Sequence, residues 1–146
     1  MSYVTVWLHC VWSTKGREPL LTKEIRSTLF QHIFENGRKK GIWVDCVNGY
    51  QEHVHVLISL DKTMTIANAL QLMKGESANW LNKNTSVKDK IHWQDDYFAV
   101  SVGHSQVEKV RNYIKNQEAH HSNKSFGQEV NEFMEKYGWV KFKDGV

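Results

Sequence analysis

Proline occurs once in this 146-residue chain and cysteine twice, and neither sign of charge dominates: 19 Lys and Arg against 16 Asp and Glu leave a formal net charge of +3. Each scarcity removes a class of protein. With one proline and no Gly/Ser-rich tract there is no sign of a linker or a disordered arm, so one domain over residues 1–146 is expected. Cys10 and Cys46 form no CxxC motif and lie in separate apolar segments, which predicts two reduced, buried thiols. No run approaches the ~20 apolar residues of a spanning helix. The N-terminus shows no basic segment leading into an apolar one. These absences predict a soluble, cytoplasmic protein with no membrane partner. The slight positive charge permits nucleic-acid binding without arguing for it.

Apolar residues make up 40% of the chain, enough for a real core. Residues 4–12 (VTVWLHCVW) are β-branched and aromatic and predict a buried strand. After a loop over 13–21, Thr22 is placed to cap a helix from Lys23, with Ile25, Leu29, Ile33 and Phe34 at helical spacing and Gly41 as its stop. Residues 42–50 and 53–60 predict two strands of an antiparallel hairpin, with Asn48-Gly49 as turn chemistry. A helix over 66–81, a polar loop over 82–90 and a strand over 97–102 follow. Ser105 then opens a helix running to the region of His120, and a last short helix ends near Tyr137. The order β-α-β-β-α-β plus C-terminal helices predicts an α+β, ferredoxin-like (RRM-like) sandwich with an antiparallel sheet. That fold hosts many functions, so the function must be argued from a site.

The eight histidines and six tryptophans are the unusual part of the composition. In HVHVLISL, side chains alternate between faces, so His53, His55, Leu57 and Ser59 share one and the apolar Val54, Val56, Ile58 and Leu60 the other. The apolar set packs on the core helices; the two imidazoles stand side by side on the opposite face. Nitrogens at i and i+2 can reach one metal at ~2.0–2.1 Å. The same pair also suits two half-exposed histidines on an open sheet, and two ligands make no site. A third ligand is to be sought in the last long helix.

That helix reads SQVEKVRNYIKNQEAHH. Val107, Val110 and Ile114 form its buried stripe, and Tyr113, Gln117 and His120 an adjacent polar face, with Tyr113 and Gln117 one turn apart. Taken singly, Tyr113 suits a ring at the edge of a core and Gln117 a solvated position. His120 and His121 suit a helix C-terminus, where the helix dipole favours cations.

Together these segments resemble the one-tyrosine HUH transposases of the insertion-sequence 200 / 605 family, named for His, hydrophobic residue, His. The resemblance runs through VWSTKGREPLL, HVHVLISL, LMKGESANWL, VRNYIKNQEAHH and the tail SFGQEVNEFMEKYGW, covering nearly the whole chain in order. It implies that Tyr113 is the nucleophile, forming a 5′-phosphotyrosine bond and releasing a 3′-hydroxyl. It also implies that His53, His55 and Gln117 hold a divalent metal. Glu52 precedes the HUH motif where the family commonly has Asp. The resemblance further implies single-stranded DNA with hairpin ends as the partner, strand transfer as the outcome, and a homodimer in which the tyrosine helix can serve the other subunit.

The chemistry is coherent on its own terms. A phosphodiester resists attack because it is anionic, and a metal offsets that charge. Two imidazoles, an amide oxygen and water suit Mg²⁺ or Mn²⁺. Candidate DNA contacts are Lys15, Arg17, Arg38, Lys39, Lys40, Lys74, Lys109 and Arg111, with Lys15 and Arg17 preferred for their place in the family's loop signature. Three alternatives remain at this point. One is a non-catalytic RRM-type single-strand binder. Another is a larger type of HUH enzyme, which the short chain disfavours. The third is a domesticated relative acting on genomic repeats.

Overall fold

The computed structural model describes residues 1–137. The end of the expected 1–146 domain, including Gly138 and Trp139 of the tail signature, lies outside the described residues.

Four strands form one antiparallel sheet in the order β2-β3-β1-β4: β1 Trp7–Ser13, β2 Trp43–Gly49, β3 His53–Ser59 and β4 Phe98–Val102. Two long helices, α1 Lys23–Lys39 and α2 Ile66–Asn84, connect them as two interlocked split βαβ units. This is the ferredoxin-like α+β arrangement expected from the sequence. Thr22 and Thr65 accept hydrogen bonds from the amides of Ile25 and Asn68, capping α1 and α2. The first strand begins later than its β-branched residues suggest, because ladder pairing starts at Trp7, opposite Ser59 and Val102, while Val4 and Val6 remain exposed.

The alternation in β3 sorts its two faces as expected. Val54, Val56 and Ile58 join Leu8, Cys10 and Trp12 of β1 beneath Leu29 and Ile33 of α1 and Leu70 and Met73 of α2. Cys10 and Cys46 are free thiols, both buried, and burial pushes each up to about 12. The hairpin turn falls at residues 50–52 and not at Asn48-Gly49, which end β2 paired with His55 and Val54. A Cβ on Gly49 would lie 2.1 Å from the His53 carbonyl oxygen, so only glycine fits there. In β2 the register slips between Val44 and Cys46, leaving Asp45 as a bulge residue on the sheet edge.

The opposite face of the sheet is also covered. Three shorter helices, α3 Val107–Lys115, α4 Gln117–His121 and α5 Phe126–Tyr137, lie over it. Val107 and Ile114 of α3 pack on Cys46 and Leu57, and Phe126 and Val130 of α5 pack on Val11. The expected helix from Ser105 to His120 is in fact a 3-10 turn over His104–Gln106 followed by two helices. Neither α3 nor α4 has a side-chain cap at its N-terminus. Among the described residues no helix is long and apolar enough to cross a membrane.

Candidate metal and nucleophile site

β3 lies between β2 and β1, which puts His53 and His55 in the middle of the sheet, and both are fully buried under the short helices. Each ring is backed at Nδ1. Glu52 Oε1 lies 2.7 Å from His53 Nδ1, and His9 Nε2 lies 2.8 Å from His55 Nδ1. Such partners fix ring orientation and leave the second nitrogen free to ligate. Here they aim both Nε2 atoms at one region below α4 and α5.

The break in the tyrosine helix delivers the next group. Asn48 of β2 donates from Nδ2 to the carbonyls of Ile114 (2.9 Å) and Lys115 (3.1 Å), satisfying the end of α3. Asn116 takes a non-helical ψ of 20°, and the chain restarts at Gln117. Gln117 is thereby fully buried, with Oε1 3.1 Å from His53 Nε2. Tyr113, on the last turn of α3, has its ring centroid 5.8 Å from that of His55. His53, His55, Tyr113 and Gln117 thus meet within one chain. His121 joins them with Nε2 3.0 Å from Gln117 Oε1, and His120 packs edge-on against Tyr113.

Sequence reasoning missed Glu129. From α5 its carboxylate enters the centre of the cluster and is 1% exposed. Its Oε1 lies 3.1 Å from His55 Nε2, 3.4 Å from His121 Nε2 and 3.5 Å from His53 Nε2. Its Oε2 accepts a hydrogen bond from the Tyr113 hydroxyl and lies 3.3 Å from His120 Nε2. His9 was missed too, although it shares the β1 face of Trp7 and Val11 by simple alternation.

The electrostatics follow from burial and from this carboxylate. Burial, with the charge of His55 second, lowers His9 to about 3. Burial likewise lowers His55 to about 4, although Glu129 opposes the shift. Both are therefore neutral imidazoles at neutral pH, the form that binds metals. Burial and the adjacent Glu129 carboxylate push the Tyr113 phenol above its ordinary range. For Glu129 burial acts upward, but the neighbouring His121 and His55 rings prevail and hold the carboxyl well below the usual range.

The donor set fits a cation. A carboxylate at His53 Nδ1 and the Lys124 carbonyl 2.7 Å from His121 Nδ1 place a proton on each of those nitrogens. With each ring neutral in that tautomer, as a metal ligand must be, the two Nε2 atoms carry lone pairs. Yet they face the oxygens of Gln117 and Glu129, and acceptors facing acceptors repel unless positive charge lies between them. Among the described residues the buried Nε2 atom of His120 makes no hydrogen bond, although Glu129 Oε2 lies 3.3 Å away. Ligand atoms of His53, His55 and Glu129 all lie within 4.8 Å of one another, and the same holds for His120, His121 and Glu129. Nitrogen, amide oxygen and carboxylate together suit Mn²⁺ or Mg²⁺.

The basic residues proposed as DNA contacts divide in two. Lys74 is buried and donates to the carbonyls of Gln94 (2.8 Å) and Asp95 (2.9 Å), holding the loop before β4. Arg111 clasps Asp45 through Nε (2.7 Å) and Nη2 (2.8 Å). Arg38 lies over the rings of Phe34 and Trp43. Lys15, Lys39, Lys40 and Lys109 are exposed. Arg17, also exposed, sits 5.3 Å from the Phe126 ring beside a cleft of about 1180 Å³ that Trp12, Tyr97, Phe98 and Val130 help to line.

A sequence profile described as transposase IS200 like matches residues 2–117. The chain belongs to the IS200-like transposase family. DNA transposition is therefore its class of activity. The ISDra2 transposase TnpA of Deinococcus radiodurans is 24% identical over 114 residues, covering 75% of this chain and 81% of that protein. Among solved structures, a protein of D. radiodurans R1 assigned as a transposase superposes with a TM-score of 0.63 at 21% identity, over 80% of this chain and 95% of that one. A REP-associated tyrosine transposase bound to a REP hairpin superposes with a TM-score of 0.51 at 17% identity, over 97% of this chain and 74% of that one. At these identities the two structures establish the shared fold.

Proposed function

We propose that this chain is a metal-dependent single-strand DNA endonuclease and strand transferase, with Tyr113 as nucleophile and His53, His55 and Gln117 as metal ligands. The observation that carries the reading is convergence. Residues from β3, α3 and α4 meet around a single carboxylate, which takes the Tyr113 hydroxyl on one oxygen and faces both HUH imidazoles with the other.

In the proposed reaction the Tyr113 oxygen attacks the scissile phosphorus. A tyrosine–phosphorus bond forms, the bond to the 3′ oxygen breaks, the phenol loses its proton and the departing oxygen gains one. A divalent ion, Mg²⁺ or Mn²⁺, offsets negative charge on the phosphate when bound. The covalent 5′-phosphotyrosine bond conserves the phosphodiester energy, so a later 3′-hydroxyl can rejoin the strand. Single-stranded DNA with hairpin ends is the proposed partner, supported by the hairpin-bound relative. Arg17 and the aromatic residues of the neighbouring cleft suit stacked bases. The work is cytoplasmic in this reading.

Tyr113 stands beside the His55 of its own chain, which supports cleavage in cis, including within a homodimer. The non-catalytic RRM-type reading is disfavoured because α3, α4 and α5 cover the sheet face on which bases would stack. The deciding experiment incubates the protein with labelled hairpin oligonucleotides and Mn²⁺ and looks for an SDS-resistant adduct. The adduct is expected with the wild type and absent in Tyr113→Phe; its persistence in that variant rules out the nucleophile. Mixing His55→Ala with Tyr113→Phe is expected to restore nothing, and rescue would point to a site shared between subunits.

A further inference from the structure

The proposed function leaves Glu129 without a role, and Glu129 lies beyond the family-matched residues 2–117. A carboxylate buried to 1% exposure is costly unless its surroundings compensate it. Among the described residues, the polar partners of its carboxylate are side chains of the cluster: His55, His53 and His121 at Oε1, Tyr113 and His120 at Oε2. The helix carrying it is fastened to the same place. Phe126 stacks on the His53 ring at 4.1 Å between centroids and 9° between planes, and Phe133 meets His9 edge-on at 5.9 Å.

Two features make Glu129 more than a neutralising neighbour. First, Oε1 faces the Nε2 atoms of His53 and His121, whose protons are drawn to Nδ1 by Glu52 and by the Lys124 carbonyl. With the rings neutral in that tautomer, oxygen and nitrogen lone pairs point at one another, with Gln117 Oε1 among them, and a cation between them satisfies all four groups. A carboxylate there is oriented for a cation. Second, the two oxygens divide their work, one toward the imidazoles and one toward the nucleophile.

We propose that Glu129 is a further ligand of the divalent ion and at the same time the acceptor that positions the Tyr113 hydroxyl, so that α5 is part of the active site and is fastened by the metal. The inference rests on the metal-site reading of His53 and His55 given above. It adds a carboxylate, which contributes negative charge where the HUH pair and Gln117 contribute none.

The test measures metal binding rather than DNA cleavage. Mn²⁺ is titrated calorimetrically into the full, chelator-stripped protein, and hydrogen exchange of the α5 amides is followed with and without Mn²⁺. Wild type is expected to bind Mn²⁺ and to slow exchange in α5. The near-isosteric Glu129→Gln is expected to bind at least about tenfold more weakly and to lose the added protection. Glu129→Asp, which keeps the charge, is expected to recover part of both. Glu132→Gln, on the same helix and exposed, is expected to match wild type. If Glu129→Gln binds within tenfold of wild type, or more tightly, while His55→Ala loses binding, Glu129 is not a ligand and the metal-site reading survives. If wild type itself binds no Mn²⁺, both fall.

Discussion

The two faces of one sheet are built on opposite terms. Under α1 and α2 lie Leu8, Cys10, Trp12, Val54, Val56 and Ile58, a packing of apolar side chains. On the other face His9, His53 and His55 of the strands meet Gln117 of α4 and Glu129 of α5, all buried, with the hydroxyl of Tyr113 of α3 directed among them. Burial of apolar area stabilises the first face at roughly 25 cal/mol per Å². The second face takes charged and polar groups out of water, which stabilises little unless every partner is in place. The strands are shared, so successive residues of β3 alternate between holding the fold and serving the site.

That contrast can be broken one face at a time. The largest effect is expected at the nucleophile. Tyr113→Phe should abolish the covalent DNA adduct while changing the unfolding free energy by no more than about 2 kcal/mol, since one hydrogen bond is lost. An equally large stability loss would mean that the functional face also carries the fold. On the apolar face, Leu29→Ala should cost about 2–5 kcal/mol in denaturant unfolding. The variant should retain Mn²⁺ binding under conditions where it is still folded.

Gly49→Ala probes the join between the faces. A Cβ there collides with the His53 carbonyl, so about 1–3 kcal/mol of destabilisation is expected from overpacking. Mn²⁺ affinity should fall with it, because the displaced residue is itself a proposed ligand; unchanged affinity would show that the turn yields without moving His53. The smallest effect is expected from the clasp between Arg111 and Asp45. The Arg111 hydrogen bonds hold the Asp45 carboxyl below its ordinary value of 3.8. A carboxyl depressed on folding contributes stability above its unfolded value and loses it as pH falls through the folded one. Arg111→Ala should therefore be slightly less stable than wild type at pH 7, and the gap should close at acidic pH below 3.8. A gap that stays constant in acid would assign the effect to packing of the arginine stem.

Much of this architecture is legible in the residues. Alternation in HVHVLISL sorts the faces of β3, and the Thr22 cap marks the start of α1. Spacing on the tyrosine helix puts Tyr113 and Gln117 on one side, and the structure brings both to the two histidines. Two things were not legible. The helix break at Asn116 carries no Gly or Pro; it coincides with Asn48, distant in the chain, binding the last carbonyls of α3. Glu129 sits in an ordinary amphipathic helix, and periodicity reveals which face of a helix is apolar without saying what that helix will lie against. A buried carboxylate is recognisable only once its partners are assembled around it.

The bulge at Asp45 has a consequence for how chains can associate. A sheet of four strands ends in two rows of unpaired amides and carbonyls, and such rows template aggregation. One edge here, β4, spans five residues. The other, β2, is the longer, and the slipped register at Asp45 interrupts its pleat just where the arginine clasp crosses it. Each feature shortens the run of regular backbone that an added strand would find at the edge, while the histidines stay on a strand paired on both sides.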